Sequence, residues 1–401
     1  MKLAKLSLAA VLIMGANAFA IDNVKVDGTA SLYYTTQDDT TNDLFDKSGA
    51  AAQTGVNAGV SANLVEGVSA GARVQALSTL GLENQLVDNV WAGGTQDQWW
   101  MSDLWMAATL GNTTAKVGRQ AIDTPLAFTE TWNIAYNTFE AAVLLNTDLP
   151  NTTLVGAYVG ATNSSNNGTV TKNSSDGSSP FEKFGNTLAQ QYLGTGTAVV
   201  GNGAYAAGIV NASIPDTTVQ GWYYAINQLA NAYWLQGDTK ISIVTLGAQY
   251  SDIDPNGQLD ALKNSTAYAF KAGVDLSGVA LEAAYSSTDE DGTLRVQNTA
   301  GTESKLYTEA WWNFEKVSQP GTSSYKVTAA YDASFASLYA LYVNADQKAS
   351  NGDNDLTEIT LTATKSFGAL ESTLAYISTE AKGTNNGDQY NTIQAYLTLN
   401  F

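Results

Sequence analysis

The sequence predicts an all-β chain: a single transmembrane antiparallel β-barrel of 18 strands, with short periplasmic turns at one end and long extracellular loops at the other. Three observations predict it. Apolar and polar residues alternate over stretches of about 8–12 positions, while helical periodicity is weak. Short turns and long polar connections follow one another in strict alternation. The chain ends on an alternating segment, "NTIQAYLTLNF", which would be a hazardous open edge in a soluble sheet.

The three share one physical origin. Lipid offers no hydrogen bonds, so a sheet can cross it only when closed and fully paired. Each strand is then apolar toward lipid and free to be polar toward the lumen. In the terminal segment Ile393, Ala395, Leu397, Leu399 and Phe401 form an apolar row, and Thr392, Gln394, Tyr396, Thr398 and Asn400 form the other. Paired with the first strand, this segment is no longer an edge.

In chain order, residues 1–20 read as a signal peptide: Lys2 and Lys5, an apolar run from Leu6 to Met14, and a small-x-small cleavage site at Ala18-Phe19-Ala20. The run is too short for a membrane-spanning helix, which needs about 20 residues. Residues 21–401 then form one barrel domain. The first strand is expected at Val26–Thr36. Tight hairpin turns follow near Glu66, Gly111, Pro150, Pro215, Gly237, Ser277, Ser334 and Gly368, and the terminal strand completes eighteen. Longer connections fall at 38–53, 79–100, 122–136, 163–203, 252–264 and 289–321, with shorter ones near 227, 350 and 384. The stretch 304–317 is assigned to a loop, because a single-chain bacterial barrel needs an even strand count. Nine Trp and twenty Tyr suit aromatic girdles at the membrane interfaces. Trp99-Trp100, Trp105, Trp222, Trp234 and Trp311-Trp312 fall near the predicted strand ends.

Composition sets limits on function. The chain has no cysteine, so an oxidising compartment is met without disulfides. It has no histidine either, which excludes a Ser-His-Asp hydrolase and a His/Cys metal site. Nothing supports catalysis. A net charge of −19 makes nucleic acid an implausible partner and cations plausible ones. An eighteen-strand barrel leaves an aqueous channel, and only loops are expected to narrow it.

Strand parity places Arg73, Lys116, Glu140, Lys271, Glu282, Lys326 and Glu358 in the lumen, since a basic residue in mid-bilayer lipid costs about 2–4 kcal/mol. Asp103 is less secure, because Trp105 shares its parity. In the loop at 122–136, Asp123 and Glu130 are candidate constriction acids, opposed by Arg119 and its neighbour Gln120. Arg119 has the outward parity of Val117 and must leave the regular strand to line the pore. Rings of acids favour cations. The outer loops 38–53, 252–264, 289–319, 346–355 and 380–388 hold 18 acidic against 7 basic residues, enough to enrich cations at a pore mouth or to hold structural Ca²⁺. The run Asp289–Gly292 alone is too short for a calcium loop.

The segment Lys116–Asn163 contains Gly118-Arg119-Gln120, Thr124-Pro125 and Asn137-Thr138-Phe139-Glu140. It resembles the OprD-type outer-membrane porins and, more closely, the acidic epsilonproteobacterial major porins; Ile214–Ile226 resembles a second feature of these families. The resemblance implies eighteen strands and a third loop folded inward as the constriction. It also implies that Phe401 is the carboxy-terminal signal read by the outer-membrane assembly machinery. With only three arginines, Arg73, Arg119 and Arg295, the chain lacks the arginine ladder of OprD-type members, so their specificity is not carried over.

The expected function is therefore an outer-membrane porin of a Gram-negative bacterium, a passive diffusion channel for small hydrophilic solutes and ions that favours cations. Its expected surroundings are outer-membrane lipid and lipopolysaccharide, and it needs no cofactor. Two alternatives stand beside it: a substrate-specific channel, and a surface adhesin or structural barrel with a closed lumen. Monomer and homotrimer both stay open, because lipid-facing and subunit-facing apolar strands look alike.

Overall fold

The computed structural model describes residues 21–82, 86–88, 98–132, 134–163, 181–194, 203–348, 352 and 354–401. The signal peptide read at 1–20 lies outside them.

Alternation becomes long, hairpin-linked strands. They are β1 (Asp22–Gln37), β2 (Ala50–Val65), β3 (Val68–Ser78), β4 (Gln98–Leu110), β5 (Thr113–Gln120) and β6 (Phe139–Asn146). Next come β7 (Thr152–Thr162), a two-residue β8 (Glu182–Lys183), β9 (Ala204–Asn211), β10 (Thr217–Ile226), β11 (Ala230–Ile241) and β12 (Val244–Pro255). The series ends with β13 (Ser265–Leu276), β14 (Val279–Thr288), β15 (Thr322–Asp332), β16 (Ser337–Gln347), β17 (Leu356–Phe367), β18 (Leu370–Ala381) and β19 (Tyr390–Asn400). Every pairing is antiparallel. β7 pairs directly with β9, and β1 closes on β19 from Thr29↔Asn400 to Gln37↔Thr392. The barrel thus has eighteen strands, with β8 a short extra strand on β7 through Ala161↔Lys183.

The short turns fall where expected with one exception. Gly237 lies inside β11, paired with Val219 and Ala248, and the turn is at Ser242-Ile243. A glycine in an alternating run looks like a break, whereas the true turn carries no Gly, Pro or Asn; Ser242 adopts its left-handed conformation at φ 58°. The stretch 304–317 is loop, entering a short 3₁₀ turn at Phe314–Ser318. The connection 163–203 holds more structure than expected: besides β8 it contains α1 (Asn186–Leu193).

The outer surface carries a belt of tyrosines. Tyr223 meets Tyr233 at 5.0 Å, Tyr250 pairs with Tyr268, and Tyr285 pairs with Tyr325. The tryptophans go mostly the other way. Trp100, Trp222 and Trp234 are buried inside the barrel, since their parity follows the lumen row, and only Trp99 among these four is exposed outside.

Candidate permeation path

The connections 122–136 and 289–321, with the segment 181–194, pack inside the barrel as a soluble core would. Leu126, Phe139, Phe184, Trp222, Trp234 and Leu294 belong to one buried apolar cluster that joins the loops to the wall of β9–β13. The loop at 122–136 closes on itself through Thr129 N to Ile122 O (2.8 Å) and Thr124 N to Ala127 O (3.1 Å). Its root is held by Gln75 of β3, which donates to Tyr136 O and accepts from Tyr136 N, both at 3.1 Å. Its tip crosses to β10, where Leu126 N donates to the Tyr224 hydroxyl.

The connection 289–321 lies beside that loop and is held by two carboxylates. Glu130 accepts from Thr302 N (2.6 Å), Glu303 N (2.8 Å), Asn298 Nδ2 (3.0 Å) and Trp132 Nε1 (3.1 Å). Glu358 of β17 accepts from the backbone N–H groups of Trp311, Trp312 and Asn313 and from Asn313 Nδ2. Both are fully buried, Glu130 at 2% exposure and Glu358 at 0%. A buried carboxylate is tolerated because several N–H donors replace its water.

The expectation that Glu130 lines the water path is therefore corrected: it fastens two loops together. Burial pushes its carboxyl above the usual range, against the pull of its four donors. The acids of the inward loops that line the polar cavities are Asp123, Glu303 and Glu309. Asp123 is ion-paired with Lys305, whose ammonium also lies 4.7 Å from the Phe128 ring centre. Burial raises the Glu303 carboxyl to about 8, the Glu130 charge adds to this, and Lys305 opposes it. Glu309 is raised well above the carboxylate range, by burial first and by Glu303 next. Glu309 lines both of two polar cavities. One, about 430 Å³, also touches Trp132, Glu303 and Tyr396; the other, about 420 Å³, also touches Asp123, Glu282, Lys305 and Lys326.

Nearer the short turns the lumen wall is charged. Lys271 reaches Asp238 at 3.1 Å and Glu282 at 3.9 Å, with its ammonium 4.4 Å from the Tyr307 ring. Lys326 donates to Glu309 O at 3.3 Å. On another part of the wall, Arg73 is ion-paired with Asp27 and donates to Asn57 Oδ1 at 2.8 Å. Lys116 sits over the Trp105 ring at 4.4 Å. Asp103 shares this wall, reached past a bulge at Ser102 that breaks the β3–β4 register. These placements follow the parity reading for Arg73, Lys116, Lys271, Glu282 and Lys326.

Glu140 departs from it, and Arg119 keeps its outward parity and so does not line the pore as expected. No bulge intervenes between β5 and β6: Gln120 pairs with the buried Phe139, and Arg119 pairs with Glu140 one step along, in the outward phase of Val117 and Ala142. Both side chains face outward at the long-loop end, joined by Arg119 Nε to Glu140 Oε1 (2.9 Å) under the Phe181 ring. The parity reading fails for Glu140, because its ion pair with Arg119 satisfies the charge on the outer face. Gln120 points inward but is buried, donating to the Gly118 and Ala141 carbonyls. Phe401 exchanges two backbone bonds with Gly28 (2.9 and 3.0 Å) and lays its ring over that glycine. Among the described residues no three acids converge to hold a metal ion.

A closed eighteen-stranded barrel narrowed by inward loops, with ionised side chains on its inner wall, has the architecture of a porin. No protein-family model matches the sequence, and no curated protein matches it. Solved structures share its fold. Pseudomonas aeruginosa OccK8 (OprE) is 15% identical with a TM-score of 0.69, over 94% of this chain and 98% of that one. P. aeruginosa OpdK, solved with vanillate, is 12% identical with a TM-score of 0.73 over the same shares. P. aeruginosa OccK10 (OpdN) is 11% identical with a TM-score of 0.70, over 95% and 99%. The OprD-type resemblance read from the sequence is thus matched at the level of the fold.

Proposed function

We propose that the chain is a porin of a Gram-negative outer membrane, passing small hydrophilic solutes and ions down their gradients without energy coupling. The observation that carries this reading is a polar, ion-bearing inner wall beneath loops that narrow an eighteen-strand barrel without replacing its water-accessible cavities. Cation preference is part of the proposal. It rests on the acidic balance of the chain and on Asp123 bordering the narrowed region, with Glu303 adding its charge as pH rises past about 8.

A second reading, a substrate-specific channel, is favoured by the constriction that the inward loops build and by the vanillate in the OpdK structure. Planar-bilayer recording of the refolded protein under a KCl gradient tests both. Stable conductance steps with a cation-selective reversal potential are expected. A folded barrel without conductance would remove the channel reading, and a current saturably blocked by one solute class would favour the second.

A further inference from the structure

The two charged stretches of wall are built alike. On one, Asp27 of β1, Gly59 of β2 and Arg73 of β3 are in direct register. On the other, Asp238 of β11, Gly247 of β12 and Lys271 of β13 are in direct register. The corresponding strands stand nine strands apart in either direction round the eighteen, so the two strips face each other across the lumen. Arg73 and Lys271 are each the sixth residue of their strand counted from its short turn. The next two strands repeat the order of charges as well, Asp103 then Lys116 on one side and Glu282 then Lys326 on the other.

In each strip the cation skips a strand to reach its aspartate, and the glycine is what lets it pass. A Cβ on Gly59 would lie 2.7 Å from the guanidinium carbon of Arg73. A Cβ on Gly247 would meet the Tyr307 hydroxyl at 2.6 Å, Lys271 Cε at 2.7 Å and Asp238 Oδ1 at 2.8 Å. In both cases the nearest atoms belong to side-chain ends that can swing away, so an added methyl group displaces the ion bridge and spares the backbone.

Resting on the reading of the chain as a passive channel, we infer that the two Asp–Gly–cation strips are a selectivity device. Gly59 and Gly247 let Arg73 and Lys271 lie flat on the wall against Asp27 and Asp238, so neither cation stands out into the water path. Gly59 and Gly247 are then specificity-determining positions although they carry no charge.

The test is the reversal potential of refolded G59A and G247A in planar bilayers under a KCl gradient, with folding checked by heat-modifiable gel mobility. Each variant keeps the net charge, yet each should lower the cation-to-anion permeability ratio by at least about twofold as the freed cation enters the lumen. D27N and D238N should lower it further, and D27N/R73Q should return it toward the parent value. A loss of stability alone would not move a reversal potential. Parent-like ratios in both glycine variants would overturn the inference. Should one glycine variant fail to fold, the other decides, and a parent-like ratio in D27N would overturn it as well. Absence of current from the folded parent would instead remove the channel reading beneath it.

Discussion

The strip on β1–β3 and the strip on β11–β13 share their chemistry and differ in what descends on them. Tyr307, on the connection 289–321, caps the second: its hydroxyl donates to Asp238 at 2.8 Å while its ring lies under Lys271. The first has a tyrosine close by: burial, and next the Asp103 charge, push the Tyr136 hydroxyl up to about 12, against the pull of Arg73. Yet the Tyr136 backbone is pinned by Gln75, and among the described residues no hydrogen bond or ring contact joins its side chain to the Arg73–Asp27 pair. Asp27 consequently keeps 57% of its side-chain exposure and Asp238 only 32%. An inward loop thus does more than narrow a barrel. It decides which wall charges the water path sees, and here it leaves one wall open and covers the other.

The most direct way to break that asymmetry is to release the covering loop. Glu358→Leu leaves the N–H groups of Trp311, Trp312 and Asn313 buried without their acceptor, at about 1–3 kcal/mol for each group left unsatisfied. The variant should unfold at markedly lower denaturant and, where folded, show larger and noisier conductance steps. The open strip should be untouched, so R73Q should shift the reversal potential equally in the parent and the E358L background. Unequal shifts would mean that the two walls are coupled through the loop.

A second effect follows from the carboxyls of that loop. Glu303 titrates at about 8 and is neutral below that value. The cation preference should therefore rise as pH passes from 6 to 9, and E303Q should flatten the rise. The linked stability runs the other way. Between the ordinary carboxylate range and pH 8 the unfolded chain has lost this proton and the folded chain keeps it, so folding weakens as pH rises through that window. A reversal potential constant from pH 6 to 9 would place Glu303 away from the permeating ions.

Much of this was legible in the sequence, and the gaps share a cause. Period-two alternation marked the strands, and Gly, Pro, Asn and Ser marked most turns; the turn at Ser242-Ile243 escaped because Gly237, five residues earlier, reads as the break while lying inside β11. Parity placed Arg73, Lys116, Lys271, Glu282 and Lys326 inside, because a lone charge is costly in lipid. It failed for Glu140, whose charge is met by Arg119 on the outer face. Glu130 read as a pore acid because a loop carboxylate looks the same whether it meets water or four N–H donors. The strips were invisible because Gly59 and Gly247 acquire meaning only from cross-strand register, which joins residues far apart in the chain. Asp27, Asp238 and Tyr307 were missed for the same reason.

The smallest expected effect sharpens the comparison most cleanly. Tyr307→Phe removes one hydroxyl from the capped strip and keeps the ring that Lys271 rests on. Asp238 retains Lys271 and the donor Gln236 Nε2 at 2.7 Å, so the carboxylate stays partnered. With the site partly open to water, the loss should be about 1 kcal/mol, near the lower end for a bond to a charged group. Asp238 would then resemble Asp27: an ion-paired aspartate without a phenol. If the cap is what hides the second strip, the cation preference of Y307F should rise slightly while its unfolding midpoint falls slightly. A preference that falls instead would show that the hydroxyl, rather than Lys271, holds the Asp238 charge at the lumen surface.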